Sequence, residues 1–407
     1  MSFSEISAPI SLERPAPNNN ESLDSIPFHY PDHIAPIHPD DAEEIRSLLL
    51  RISTGDDSFF PYPEQDQFQS ALQELCCSKH VVPVSSCGTA IDAVLSVLGL
   101  DSGDEVVTTG LTFAATAGSI ILRGAKVVFA DIDPQTLNIT PETVRKCITS
   151  RTKVILPVHF AGEICDVDGF EELSKNTGIP VIYDGAHALG ATTSDGRGIG
   201  QFGFATCLSF QFNKHITCLG EGGAILCSDD TFAHSLNEFK SFGFRYPRLD
   251  TFDGGTVHSL GTNLQMNKFQ FATGLAQLMR FEGFFDNRRR QFEALSDALS
   301  DTEDLNIHFS NKSGHACLLF VVSVENGHSK ITSSRFRENL KCLGVGTRHH
   351  YPPIWDWPIY QQMSYSGASC PNTAEIANNL ISLPVHPSLT LDSVRHLSTL
   401  VKDALRR

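Results

Sequence analysis

A serine and a lysine with complementary chemistry stand five residues apart in the hexapeptide SFQFNK, residues 209–214, shortly before the glycine turn GEGG at 220–223. The amine of Lys214 can form a Schiff base with an aldehyde, and the hydroxyl of Ser209 can donate a hydrogen bond to a phosphate. The pair therefore fits a ligand that carries both groups. A lone loop lysine is more often a solvated surface residue, so other parts of the chain have to support this interpretation.

A candidate phosphate site lies in SSCGT, residues 85–89, at a predicted junction between a strand and a helix. Gly88 lets the backbone approach a ligand closely, and Thr89 adds a hydroxyl near the helix N-terminus. Free N–H groups and the helix dipole favour an anion at that position. An ordinary N-cap explains the same residues without a ligand, and this alternative stays open.

A candidate partner for a cation is Asp184, which ends the apolar run IPVIYD. Ligands of open parallel sheets bind beyond the carboxyl ends of the strands. The protonated pyridine nitrogen of pyridoxal phosphate (PLP) is such a cation, and PLP also carries the aldehyde and the phosphate that Lys214 and Ser209 fit. At 4 Å and an effective dielectric constant near 20 the ion pair is worth roughly 4 kcal/mol. The alternative is that Asp184 caps the following turn.

A candidate stacking residue is Phe113 in GLTFAAT, directly after the predicted strand DEVVTT. Its ring could pack on a flat cofactor, although a lone phenylalanine is more often part of the core.

Two further patterns indicate no site. Residues 198–203, GIGQFG, have the G-x-G-x-x-G spacing of dinucleotide-binding loops, but they follow a loop and precede a strand. His349 and His350 are adjacent, and neighbouring strand residues point to opposite faces. No metal site is expected.

The elements that must position these residues alternate along the chain. Short β-rich runs separated by helical stretches are predicted at 81–85, 104–109, 126–131, 152–158 and 179–184. This alternation predicts an α/β fold, with a mostly parallel central sheet flanked by helices. Later strands are predicted at 205–210 and 222–228, and a helical stretch at about 264–300.

The predicted domain organisation has three parts. Residues 1–35, rich in Pro, Asn and Ser, are expected to form a flexible N-terminal extension. Residues 36–285 are expected to form the large cofactor-binding domain. Residues 286–407 are expected to form a smaller C-terminal α+β domain, with residues 318–324 as its clearest strand.

Composition argues against several classes of partner. The 407 residues include 47 acidic and 31 basic ones, for a net charge of −16, which is unfavourable for nucleic-acid or anionic-membrane binding. The eleven scattered cysteines form no C-x-x-C pair and indicate reduced thiols. No signal segment or membrane-spanning apolar run is found. A cytoplasmic protein without nucleic-acid or membrane partners is expected.

With these elements in this order, the chain resembles the DegT/StrS family of PLP-dependent sugar aminotransferases over roughly residues 40–400. The resemblance implies the PLP-dependent transferase fold of type I. It is carried by the following segments: GDEVVTTGLTFAATAGSIILRGAKVVFADID, TKVILPVHFAG, VIYDGAHALGA, SFQFNKHITCLGEGGAI, GTNLQMNKFQFATGLAQL and ISLPVHPSLT.

The resemblance implies roles around the cofactor ring. Lys214 would be the Schiff-base lysine and the general acid/base. Asp184 would hold the pyridine nitrogen, and Phe113 would stack on the ring. His187, where the family often has Gln, would lie beside the 3-oxygen or the ring face.

The resemblance also implies a phosphate site. Gly88, Thr89 and Ser209 would bind the phosphate of their own subunit. Asn263 would reach the phosphate of a neighbouring subunit, which implies a homodimer with shared active sites.

The implied activity is amino transfer from an amino acid, L-glutamate in most relatives, through pyridoxamine phosphate to a keto-sugar that carries a nucleotide or a phosphate. Gln265 stands where the family commonly has Arg. This departure keeps open a sugar dehydratase, or a synthase of aminocyclitols or aromatic amines, in the same family. A non-catalytic regulator with the same fold is the third hypothesis.

The substrate itself is not predicted. The residues expected on a substrate-facing loop are Arg348, His349, Tyr351 and the pair Trp355 and Trp357. The same residues could equally be packing residues.

Overall fold

The first part of the chain alternates helices and strands, as the sequence predicts. The computed structural model describes residues 39–57, 63–245, 255–309, 314–324, 331–367 and 369–407, so the predicted extension 1–35 lies outside the described residues. The elements are α1 (Pro39–Thr54), α2 (Pro63–Cys76), β1 (His80–Val84), α3 (Cys87–Val97), β2 (Glu105–Thr109), α4 (Ala114–Leu122), β3 (Lys126–Ala130), α5 (Pro141–Arg145), β4 (Thr152–Leu156), α6 (Val167–Thr177), β5 (Ile182–Asp184), β6 (Ala205–Ser209), β7 (Gly223–Cys227) and α7 (Asp230–Phe239).

The remaining elements begin with a short β-ribbon and end with a long helix. They are β8 (Phe244–Arg245), β9 (Thr256–Val257), α8 (Lys268–Leu278), α9 (Phe281–Leu299), β10 (Leu305–Ile307), β11 (Phe320–Val324), α10 (Ser333–Cys342), α11 (Pro358–Gln362), α12 (Pro371–Ile376), β12 (Ile381–Leu383) and α13 (Leu391–Arg406).

The central sheet has the strand order β3-β2-β4-β5-β6-β7-β1. Within it, β3-β2-β4 and β5-β6-β7-β1 are continuous ladders. Two isolated parallel bridges, Ile155–Val181 and Val158–Asp184, join them. Strand β7 runs antiparallel to both of its neighbours, whereas the other pairings are parallel. The predicted α/β fold with a mostly parallel sheet is confirmed.

Both faces of this sheet are buried. Val107 and Ile155 point into one apolar cluster, whereas their chain neighbours Val106 and Val154 point into another. Successive strand residues face opposite sides, so a sheet that is covered on both sides needs continuous apolar strands. This explains the uninterrupted apolar runs of the sequence.

The C-terminal part forms a separate antiparallel sheet in the order β10-β11-β12. Helices α9, α10 and α13 contribute to the apolar cluster that packs with it. The predicted domain boundary at 285/286 falls inside α9 and stays a prediction.

The predicted helical stretch at 264–300 is two helices. The chain leaves helical geometry at Arg280, whose φ of −107° and ψ of 3° precede α9. Arg280 pairs with the buried carboxylate of Asp41 on α1. A long-range ion pair therefore accompanies a break that carries no proline or glycine signal.

None of the helices in the described ranges combines the length and the apolar character that crossing a membrane requires.

Candidate active site

A cavity of about 630 Å³ lies where β5 and β6 end and α3 and α4 begin. A C-terminal segment, residues 348–352 and 357, lines its other side. Six of the predicted site residues line this cavity: Gly88, Phe113, Asp184, His187, Ser209 and Lys214.

Lys214 contributes a buried amine to the cavity. Its residue is 9% exposed, and burial lowers the pKa of its amine from 10.5 to about 8. The nearby Cys87, Asp184 and Glu221 act in the opposite direction, because negative charge favours the ammonium form. A substantial fraction of the amine is therefore neutral near pH 8 and can act as a nucleophile or a base.

Asp184 is the last residue of β5 and is 5% exposed. Its Oδ2 accepts a hydrogen bond from Thr116 Oγ1 at 2.7 Å, and its Oδ1 accepts one from the Ala186 N–H at 3.1 Å. Cys87 Sγ donates to Oδ1 at 3.7 Å. The carboxylate is thus held from α3, α4 and the loop that follows β5. The simple turn cap expected as an alternative accounts for the Ala186 contact alone.

The start of α3 offers an anion site at another part of the cavity wall. Ser86 caps this helix, and its side chain accepts from the Thr89 N–H at 3.1 Å. A Cβ built on Gly88 would meet Ala115 Cβ at 3.6 Å and Ser86 Oγ at 3.7 Å, which are ordinary contacts. Packing within the chain therefore leaves room for a larger residue at Gly88. Its missing side chain instead leaves the backbone open to a ligand in the cavity.

Two of the residues predicted to bind the phosphate do not line the cavity. The Thr89 hydroxyl accepts from the Ser86 N–H at 2.9 Å and belongs to the helix cap, and Thr89 is not among the lining residues. Asn263 is exposed and also lies outside the lining, with its Oδ1 accepting from the Gln265 N–H at 3.1 Å. Their cofactor roles stay predictions.

Aromatic rings form much of the wall. Phe113 is 54% exposed, which is unusual for a phenylalanine, and its ring centroid lies 6.0 Å from that of Tyr351. Phe212 and Trp357 also line the cavity and are 38% and 37% exposed. The exposed ring faces suit flat ligands.

His187 is buried, and its ring is held at both nitrogens. Nδ1 accepts a hydrogen bond from the Ala161 N–H at 3.2 Å, and Nε2 lies 3.3 Å from the Tyr351 hydroxyl. Burial, and secondarily the charge of Lys214, lowers the pKa of His187 well below 6.5. The ring is therefore neutral, and it carries its proton on Nε2 because Nδ1 is an acceptor.

The residues of the C-terminal segment are expected from the sequence either to face the substrate or to pack in the core. The structure divides them between the cavity lining and the core. Arg348, His349, Tyr351 and Trp357 line the cavity. Trp355 is instead a packing residue, 7% exposed, with its ring centroid 5.3 Å from that of Phe129.

The adjacent His349 and His350 both line the cavity, and each contacts a different protein group, while the expectation of no shared metal site stays a prediction. His349 Nε2 contacts the Ala377 carbonyl at 2.8 Å, and His350 Nδ1 contacts Ser382 Oγ at 2.8 Å. In the described part of the chain, no group of three His, Cys, Asp or Glu residues is arranged to hold a metal ion.

Several lining residues lie within segments that the sequence singles out, although no site role is predicted for them. They include Ser86, Cys87, Thr116, Gln211, Phe212, Glu221 and His350. Cys87 and Glu221 stand beside residues that the motifs singled out. That proximity is the only available hint for them.

Comparison with known proteins identifies the family. The model of the DegT/DnrJ/EryC1/StrS aminotransferase family matches residues 39–402. The spore coat polysaccharide biosynthesis protein SpsC of Bacillus subtilis (strain 168) is 34% identical over 372 residues, which cover 89% of this chain and 95% of SpsC.

Solved structures agree over nearly the whole chain. Helicobacter pylori PseC, described as an aminotransferase involved in the biosynthesis of pseudoaminic acid, is 26% identical, with a TM-score of 0.84, and covers 93% of this chain and 99% of its own. DesI, solved in the presence of its TDP-sugar product, is 27% identical, with a TM-score of 0.83, and covers 94% of both chains. The predicted fold of type I is confirmed.

Proposed function

The chain belongs to the DegT/DnrJ/EryC1/StrS aminotransferase family, and from this premise we propose that it moves the amino group of L-glutamate to a keto-sugar that carries a nucleotide or a phosphate. PLP is the cofactor, and Lys214 is the residue that binds it covalently. The observation that carries the proposal is the presence of the Lys214 amine and the Asp184 carboxylate in one cavity.

The residues of the cavity fit PLP by their chemistry. A buried carboxylate suits the pyridinium nitrogen, and the open backbone at Gly88 with the N-terminus of α3 suits the phosphate. The hydroxyl of Ser209 adds a donor to the same wall. The cavity volume of about 630 Å³ falls in the ordinary range for cofactor sites.

The cofactor supplies an aldehyde that accepts the amino group and a ring that withdraws electrons from the reacting carbon. Lys214 would move a proton between that carbon and the C4′ carbon of the cofactor, which its lowered pKa of about 8 permits near neutral pH. Asp184 keeps a positive charge on the ring nitrogen, and the exposed face of Phe113 stacks on the ring. His187, neutral and protonated at Nε2, would lie beside the ring, held in place by the Ala161 N–H and the Tyr351 hydroxyl.

Other lining residues of the cavity support a keto-sugar acceptor. The exposed rings of Phe212 and Trp357 suit the flat C–H face of a sugar or a nucleobase. Arg348 adds a guanidinium to the lining, which matches the phosphate groups of such an acceptor. DesI, the relative that was solved with a TDP-sugar product, has the same fold.

A homodimer belongs to the proposal. Asn263 is exposed and lies outside the cavity of its own subunit, as expected for a residue that reaches the phosphate of a neighbour. Light scattering on the purified protein should give twice the chain mass. A monomer that still binds PLP tightly would remove the shared-site part of the proposal.

The test is transfer of ¹⁵N from labelled L-glutamate to a panel of keto-sugar nucleotides and keto-sugar phosphates. One or more members should gain the label, and 2-oxoglutarate should form in equal amount. Loss of water from a sugar without label transfer would favour the dehydratase alternative. A protein that reacts with glutamate but with no sugar would overturn the acceptor class only.

A further inference from the structure

Two buried threonines form a hydrogen-bonded chain that ends on Asp184. Thr116 Oγ1 lies 2.7 Å from Asp184 Oδ2 and 2.8 Å from Thr112 Oγ1. The two threonines are 0% and 2% exposed. We propose that Thr116, supported by Thr112, is a positioning residue that fixes the Asp184 carboxylate for the cofactor ring. The inference rests on the function proposed above.

The donor and acceptor in each of these hydrogen bonds follow from the number of protons that each group carries. An ionised carboxylate only accepts hydrogen bonds, so Thr116 must donate to Asp184. A hydroxyl has one proton, so the Thr116 oxygen accepts in its contact with Thr112. Thr112 is therefore the donor, and both hydroxyls are oriented before any ligand enters.

The second carboxylate oxygen of Asp184 is held independently. Oδ1 accepts from the Ala186 N–H at 3.1 Å and from Cys87 Sγ at 3.7 Å. Because donors from α3, α4 and the loop after β5 meet the two oxygens, rotation of the carboxylate would break contacts on both. A carboxylate oriented in advance loses little freedom when it binds the ring nitrogen.

The short segment 112–116 contributes two features to the site. Thr112 and Thr116 are four residues apart and flank Phe113, the N-cap residue of α4. Thr112 precedes the N-cap and Thr116 lies in the first turn of α4, and the contact between their hydroxyls links Thr112 to Asp184 through Thr116. Phe113 lies between them in sequence, lines the cavity and is 54% exposed. The segment TFAAT thus supplies both the stacking ring and the support for the carboxylate.

The direct test is equilibrium binding of PLP to apoprotein variants, followed by visible absorbance. Thr116→Val removes the hydroxyl and keeps the shape, and we expect the Kd for PLP to rise about 10-fold or more. Thr116→Ser keeps the hydroxyl and should stay within about threefold of wild type. Thr112→Val should show a smaller rise. The pH dependence of the bound-cofactor spectrum should shift in Thr116→Val and return to normal in Thr116→Ser.

Thr108 provides a matched control. Its buried hydroxyl donates to the Leu156 carbonyl at 2.6 Å on the neighbouring strand, and it does not line the cavity. Thr108→Val should lower the apoprotein Tm about as much as Thr116→Val while leaving the Kd for PLP unchanged.

Two results would overturn the positioning role. One is wild-type affinity and an unshifted spectrum in Thr116→Val, and the other is an equal loss of affinity in Thr108→Val. If Thr116→Val does not fold, Thr112→Val becomes the test. Wild-type PLP affinity and spectrum in Thr112→Val would then overturn the positioning role of the two hydrogen-bonded threonines. A wild-type protein that binds no PLP would instead overturn the proposed function, and this inference with it.

Discussion

The Tyr351 hydroxyl lies 3.3 Å from Nε2 of His187, while Nδ1 of the same ring accepts the Ala161 N–H at 3.2 Å. A residue of the C-terminal segment thereby contacts the loop that follows β5, across 164 positions of sequence. Tyr351 also lies near Phe113, with ring centroids 6.0 Å apart, and these two residues and His187 all line the cavity.

This relationship predicts the protonation of His187. Because burial lowers the pKa of His187 well below 6.5 and Nδ1 is an acceptor, the ring should stay in the neutral Nε2–H form between pH 6.5 and 8. ¹⁵N NMR of histidine-labelled apoprotein reports the tautomer directly, with His187→Gln to assign the signal. A ring that gains a second proton within that range would contradict the assignment.

Gly88 is predicted to be needed for the ligand rather than for the fold. Gly88→Ala should leave the Tm of the apoprotein unchanged or slightly higher, since alanine favours a helix by up to about 1 kcal/mol. Its affinity for PLP should fall at least about 10-fold, because the new methyl group would occupy the cavity wall where the phosphate is proposed to bind.

Gly223 is the contrasting control, because a Cβ there would lie 2.4 Å from the backbone carbon of Ser86. Gly223→Ala should reduce folded yield and Tm regardless of ligand. If Gly88→Ala still binds PLP tightly, the phosphate does not bind at Gly88.

The two tryptophans of the C-terminal segment should behave differently. Trp357→Ala should raise the KM for the keto-sugar and leave the reaction with glutamate unchanged, because its partly exposed ring lines the cavity at the proposed acceptor site. Single-turnover kinetics of the two half-reactions separates these effects. Ile359→Ala, an exposed apolar change outside the lining, is the control.

Trp355→Ala should destabilise the fold by about 3–5 kcal/mol, because its ring is buried against Phe129. If Trp357→Ala does not change the KM for the keto-sugar, Trp357 does not belong to the acceptor site.

Lys214 should lower the stability of the apoprotein near neutral pH. Its pKa of about 8 lies below the 10.5 of an exposed lysine, so the unfolded state binds more protons between these values. The destabilisation of the folded apoprotein by Lys214 is fully present below about pH 8, and it disappears as the pH rises toward 10.5. Lys214→Met should therefore be more stable by roughly 2–4 kcal/mol at pH 7, with a smaller difference at pH 10. Urea unfolding at both pH values measures it, and a constant difference would contradict the lowered pKa.

The sequence predicts the order of strands and helices well because each is encoded locally. Asp184 and Ser209 could be placed near each other, since both end neighbouring strands of one sheet. The chain returns through residues 210–222, which end in the glycine turn, and β7 pairs antiparallel with β6.

What sequence reasoning missed depends on distant contacts. Thr116 meets Asp184 across 68 positions, and no periodicity marks that pair. The hydroxyl of Thr89 belongs to the cap of α3, which the sequence leaves open as an alternative, and its phosphate role stays a prediction. Both the N-cap and the phosphate interpretations use the same residue types, so only the three-dimensional arrangement separates them.

The central claim is that PLP bonds to Lys214, and a second lysine makes the test sharp. Lys240 is also buried, with a pKa lowered to about 8, but its Nζ donates to the Pro83 carbonyl at 3.2 Å and it does not line the cavity. The measurement is borohydride reduction of the PLP-loaded protein followed by peptide mass spectrometry. The predicted result is one labelled lysine, Lys214, with no label in Lys214→Ala and full label in Lys240→Met. Label on Lys240, or on no lysine, would contradict the account.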